Sequence, residues 1–159
     1  PVVFVESQLL YNEKCEVPQG EYLIPFGVAK LVRPGRDLSI VAWSYLVGES
    51  LKAAEELARE GLEAEVIDAR TLCPFDYQTV IESVKKTGRL IVASQACRTG
   101  SFTGEVASQV QERAFEYLDA PVARVGALDG ISPQAQVLEE AYLPHARDLV
   151  AEAKRLLER

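Results

Sequence analysis

Methionine is absent from these 159 residues, and histidine and tryptophan occur once each, as His145 and Trp43. A single histidine excludes a metal centre built on several imidazoles, and no Cys/His cluster has the spacing of a zinc site. Cysteine is sparse. Cys15, Cys73 and Cys97 form no C-x-x-C pair, and their odd number and wide spacing fit a reduced chain better than a disulfide framework. A reduced, cytoplasmic compartment is the expectation. Basic residues are outnumbered, with 17 Lys+Arg against 24 Asp+Glu and a formal net charge of -7. Such a surface repels phosphate backbones and anionic lipid, which argues against nucleic acid and membranes as partners and favours a basic protein module. Apolar runs long enough to span a bilayer are missing, and the first residues do not read as a secretory leader.

What is present is an ordinary globular composition, 48% apolar and 26% charged. It suffices for one domain with a sizeable core and excludes a disordered chain. Val2 to Val5 form a short apolar run that predicts a strand. Residues 6–25 are polar and hold Pro18, Gly20 and Pro25, the pattern of an irregular arm. Leu38, Ile40, Val41, Ala42 and Trp43 predict a buried strand after the Pro34-Gly35 turn. Val47, Leu51, Ala54, Leu57 and Ala58 recur at helical spacing, with Ser44 as the expected N-cap and Gly61 as the left-handed stop.

Residues 64–69 predict a second strand, followed by a break at Cys73-Pro74. A helix capped by Asp76 and ended by Gly88 comes next, with Val80, Ile81 and Val84 inward. Leu90 to Ala93 predict a third strand, and a glycine-containing turn (TGSFTGE) leads into a helix with Val106, Ala107, Val110, Ala114 and Leu118 inward. Val122 to Val125 predict a further strand. Pro144 opens a last helix with Leu149, Val150, Ala153, Leu156 and Leu157 on its apolar side. Strands alternating with helices imply a mostly parallel sheet covered on both faces, and the uninterrupted apolar strands fit that burial.

Chemistry is hard to find in this pattern. The TGSFTGE turn is neither G-x-G-x-x-G nor a Walker loop with its lysine, so close packing is the favoured role for Gly100 and Gly104 over anion binding. His145 has no nucleophile or carboxylate beside it in sequence, and a helix start disfavours its cation. Cys97 follows a strand where α/β ligands commonly bind, but a nucleophile needs a base and an oxyanion site. Cys73 reads as a small packed residue. Arg70 and Arg98 also follow strands; an ion pair is favoured over an anion clamp. Asp68 stands out inside an apolar strand and is expected to close a hydrogen bond or pair with Arg70. No residue is assigned a catalytic, cofactor-binding or metal-binding role.

Six stretches carry a resemblance. They are LLYNE (9–13), EYLIPFGVAKLVRPGRDLSIVAWS (21–44), EAEVIDARTLCPFD (63–76), KKTGRLIVAS (85–94), FEYLDAPVARV (115–125) and LEEAYLP (138–144). In this order and spacing the chain resembles the beta subunit of the E1 component of 2-oxo acid dehydrogenase complexes, of pyruvate, branched-chain or acetoin type. The resemblance implies that residues 1–22 end a preceding pyrimidine-binding domain and its linker arm. Residues 23–159 would form a transketolase C-terminal-like domain, a three-layer α/β/α sandwich with one antiparallel edge strand. It implies a parent reaction of oxidative decarboxylation, with acyl transfer to lipoamide. Thiamine diphosphate and Mg would be bound outside this segment, which alone would be inactive. The implied role here is assembly, with three partners: a second beta chain, the E1 alpha subunit, and the basic subunit-binding domain of the lipoyl-bearing E2 core. Asp119 and Arg159 are the residues expected to touch that last module. Alternatives are a free-standing dimerisation domain, or the matching domain of a transketolase or a 2-oxoacid:ferredoxin oxidoreductase. The chain departs from the family pattern at Ser94-Gln95, where His-Glu is usual, and at Gln134, where an aromatic often follows the proline.

Overall fold

A computed structural model describes residues 1–158. Five strands form one sheet in the order β1-β3-β2-β4-β5. They are β1 (Lys30–Arg33), β2 (Leu38–Ala42), β3 (Ala64–Asp68), β4 (Leu90–Cys97) and β5 (Ala123–Ala127). β2, β3, β4 and β5 run parallel, and β1 pairs antiparallel with β3 at the edge. Five helices accompany them: α1 (Tyr45–Arg59), α2 (Tyr77–Thr87), α3 (Phe102–Ala114), α4 (Gln136–Tyr142) and α5 (Ala146–Leu157). The expected α/β/α sandwich with one antiparallel edge strand is therefore present.

The three central strands, β2, β3 and β4, serve both faces because successive side chains alternate. Leu38, Ile40 and Ala42 join the core under α1 and α5, while Val41 joins the core under α2 and α3. Ile91 and Ala93 take the first side, Leu90 and Val92 the second. Burying one such side chain contributes about 1.5–3 kcal/mol, so this double layer is what holds the sheet.

Helix ends follow the sequence in most places. The Asp76 carboxylate accepts the Thr79 N–H at 3.0 Å and caps α2. Gly88 ends that helix with φ +68, a conformation a side chain resists. Ser44 is a correction: its side chain makes no cap hydrogen bond, and its φ of 58 and ψ of -138 put it in a strained turn. Val2 to Val5 are not a strand; all four are exposed and only a short 3-10 turn, Gln8–Leu10, breaks the arm. Without a neighbouring strand to pair with, an apolar run by itself forms no sheet. Trp43 lies just past β2, and His145 rather than Pro144 takes the N-cap position of α5.

Candidate functional site

The strand order places a crossover between β2 and β4. At the carboxyl ends, the chain leaves β2 towards β3 on one side and leaves β4 towards β5 on the other. Such a switch point is where ligands of open α/β sheets commonly sit. The residues there are mostly engaged with one another. Cys97 Sγ lies 3.1 Å from the Tyr142 hydroxyl, which in turn donates to the Gly130 carbonyl at 3.2 Å. The hydrogen bond to Cys97 pushes the Tyr142 phenol above its ordinary value.

His145 does not serve Cys97. Its Nδ1 lies 3.0 Å from the Tyr45 hydroxyl and its Nε2 2.9 Å from the Glu140 carbonyl. Thr99 donates from its N–H and its hydroxyl to the Asp129 carboxylate, at 3.2 and 2.6 Å, which ties down the TGSFTGE turn. Arg124 reaches the Arg98 carbonyl at 3.0 Å, and a Cβ at Gly104 would meet Arg124 Nη1 at 3.3 Å. Close packing is thus the visible role of that glycine. Arg70 donates its N–H to Asp68 at 3.1 Å, and burial pushes the Asp68 carboxyl up. Ser94 is buried and accepts the Ala96 N–H at 3.1 Å. Cys73 is exposed rather than packed, beside a cis peptide to Pro74.

Two polar clusters escaped the sequence reading. Glu49, 5% exposed, accepts the Ala146 N–H at 2.8 Å and pairs with Lys52 at 2.7 Å. Burial works against its charge, but these hydrogen bonds outweigh it and hold the carboxyl below its ordinary value. Its signal was an acid on the helical face shared with Leu46 and Ala53. Glu65, 2% exposed, accepts the Ser83 hydroxyl at 2.5 Å and pairs with Lys86. Asp68 drew the eye in that strand, yet the fully buried acid is Glu65.

The amino-terminal edge presents a different surface. Asp119 sits in the turn before β5, and its N–H donates to the Gly88 carbonyl at 2.8 Å. Arg89 Nη1 lies 3.2 Å from Asp119 Oδ2, and Arg89 Nε donates to the Leu156 carbonyl at 3.2 Å. The Asp119 side chain remains 61% exposed. Phe115 and Tyr117 stand exposed just before it, with Lys85 Nζ 5.5 Å from the Tyr117 ring centre. Arg89 thus brings Asp119 to the last turn of α5, next to the chain end. Arg159 lies outside the described residues.

Residues 27–149 match the family described as "Transketolase, C-terminal domain". The chain belongs to that family. This domain is 44% identical over 159 residues to the pyruvate dehydrogenase E1 component subunit beta of Bacillus subtilis, covering 99% of the chain and 49% of the relative. It is 42% identical over 157 residues to the beta subunit of the acetoin:2,6-dichlorophenolindophenol oxidoreductase of Cupriavidus necator, covering 99% of the chain and 46% of the relative. The chain therefore spans about half the length of the curated relatives it matches. Together the family and these relatives support a C-terminal domain of E1 beta type. Among solved structures, a split-gene transketolase described as an inactive beta4 tetramer is 30% identical, with a TM-score of 0.76, over 91% of this chain and 46% of that one. A 2-oxoglutarate:ferredoxin oxidoreductase from Magnetococcus marinus, at 14% identity and a TM-score of 0.54 over 82% of this chain and 19% of that one, shares the fold alone.

Proposed function

We propose that this domain serves the assembly of a thiamine-dependent 2-oxo acid dehydrogenase E1 component, as part of its beta subunit, and docks a basic partner at Asp119. The parent reaction in this reading is oxidative decarboxylation of a 2-oxo acid with acyl transfer to lipoamide, in the cytoplasm. Residues 1–22 belong to the end of the preceding domain and its arm. A second beta chain and the E1 alpha subunit complete the enzyme. The observation that carries the docking role is the Asp119 carboxylate, fixed in place by Arg89 yet 61% exposed. A charge held in one geometry loses little freedom when a partner cation approaches, which favours a specific contact.

Thiamine diphosphate and Mg belong to the parent enzyme in this reading. Among the described residues no three His, Cys, Asp or Glu side chains converge to hold a metal ion. In this reading both are bound outside this segment. Among the described residues no helix is long and apolar enough to cross a membrane.

The test is binding of an E2 subunit-binding domain to the chain at two salt concentrations, with Asp119→Arg alongside. The reading expects binding that weakens about tenfold or more in the variant and falls with salt. Unchanged affinity in Asp119→Arg would remove Asp119 from the interface. A second reading, a free-standing assembly domain, is favoured by the split-gene transketolase relative, whose beta chains form an inactive tetramer. A stable oligomer of this chain that retains neither an E1 alpha chain nor the E2 module would favour it.

A further inference from the structure

Helix α2 ends at Gly88, and the turn that carries Asp119 lies against that end. The two backbones are tied, since the Asp119 N–H donates to the Gly88 carbonyl at 2.8 Å. Arg89 is fastened in turn to β2 and α2: its carbonyl accepts the Ser39 N–H at 2.8 Å and the Thr87 hydroxyl at 3.2 Å. What this framework leaves to rotate is the Asp119 side chain. A Cβ at Gly88 would overlap Asp119 Oδ2 and fall 2.8 Å from its Cγ, yet it would lie 3.5 Å from its Cβ, an ordinary contact. The overlap therefore falls on the carboxyl group alone.

We propose that Gly88 is a positioning residue for the docking contact: its missing Cβ is the space in which the Asp119 carboxylate lies while it faces a basic partner. The inference rests on the docking reading above. A side chain at position 88 turns the carboxyl group about the Asp119 Cα–Cβ bond and away from Arg89, and it leaves the main chain in place. The carboxyl terminus of α2 opposes a negative charge beside it. Arg89 Nη1, 3.2 Å from Asp119 Oδ2, offsets that dipole only while the carboxylate stays within its reach. Gly88 thus contributes position rather than charge. A carboxylate already held in one geometry has less freedom to lose when a cation binds.

Gly88 also ends α2 with φ +68, a role that any helix-stop glycine fills. Gly61, just past α1, separates the two roles. It has φ +84, and a Cβ there would meet nothing within 4 Å. Gly61→Ala therefore carries left-handed backbone strain alone, whereas Gly88→Ala carries the strain and displaces the carboxylate. The displaced group is the free end of an exposed side chain. Moving it costs the fold little, so the two variants differ in docking far more than in stability.

Binding of an E2 subunit-binding domain, measured beside urea unfolding on the 159-residue chain and its variants, tests this. Gly61→Ala is expected to bind like the wild type. Gly88→Ala is expected to bind about two- to tenfold more weakly, the scale of immobilising one side chain, with a denaturation midpoint close to that of Gly61→Ala. The carboxyl carbon resonance of Asp119 should shift in Gly88→Ala and stay in place in Gly61→Ala. In an Asp119→Ala background, Gly88→Ala should weaken binding no further. If Gly88→Ala folds poorly, Gly88→Asn takes its place, because it adds the same Cβ and asparagine tolerates the left-handed conformation. Weaker binding in Asp119→Ala, with Gly88→Ala binding like Gly61→Ala, would overturn the positioning role and leave the docking reading standing. No binding by the wild type, or wild-type affinity in Asp119→Ala, overturns the docking reading and this inference with it.

Discussion

Arg89 joins Asp119 to the carbonyl of Leu156, with both contacts at 3.2 Å. One side chain therefore spans the turn before β5 and the end of α5. Its two ends differ in worth. The Asp119 pair faces solvent, whereas the Leu156 carbonyl is one of the unpaired acceptors that end every helix. Arg89→Ala should lower unfolding stability by about 1–2 kcal/mol, and Asp119→Ala by less than about 1 kcal/mol. Urea denaturation of the two variants measures the difference. An equal, large loss in both would make Asp119 a structural residue and weaken its docking role.

Ser44 holds φ 58 without a hydrogen bond from its side chain to α1. Glycine adopts such a conformation without penalty, while a non-glycine residue in a sparse backbone region costs about 1–3 kcal/mol. Ser44→Gly is expected to stabilise the domain by about 1 kcal/mol, and Ser44→Val to destabilise it. The denaturation midpoint reads both signs at once.

Glu65 and Lys86 make the next prediction. Glu65 is buried and shares hydrogen bonds with Ser83 and the Gly35 N–H, while Lys86 is 48% exposed. Removing the lysine leaves a buried carboxylate with neutral partners only, so Lys86→Met should cost about 1–2 kcal/mol, less than for a fully buried pair. Adding Glu65→Leu should recover part of that loss. A double-mutant cycle with coupling near zero would show that the pair contributes nothing.

Asp76 and Asp68 should give opposite pH responses. Burial pushes the Asp76 carboxyl up, but hydrogen bonds from Thr79 and the Ala29 N–H outweigh it and hold it below its ordinary value. Its stabilising effect is full above the ordinary aspartate value of about 4 and is lost as pH falls through the lower folded value. Asp76→Asn should thus weaken the fold at neutral pH, with the gap closing in acid. Burial raises Asp68, so its penalty is absent in acid and grows as pH rises through the raised value. Asp68→Asn, which still accepts the Arg70 N–H, should stabilise at neutral pH only. Unfolding curves across about pH 3 to 7 compare the pair.

The sequence by itself determined the layers. Continuous apolar strands, helical spacing in α1, α2 and α5, the Asp76 cap and the Gly88 stop are local signals, and each led to an observed element. Periodicity reports which side of an element is buried, and that is enough to stack helices on a sheet. What it does not carry is the partner. Val2 to Val5 have strand composition but no strand beside them, and the polar residues of β1 and α4 gave no period to read. The chemistry followed the same division. Glu49 and Glu65 look like surface acids in sequence, and only the fold sets them against the Ala146 N–H and Ser83, 97 and 18 residues away. His145 has no nucleophile or carboxylate directly beside it in sequence, yet it meets Tyr45 across 100 residues. Burial and hydrogen bonding depend on groups brought together from distant positions, so those pairings were the tertiary structure's to decide.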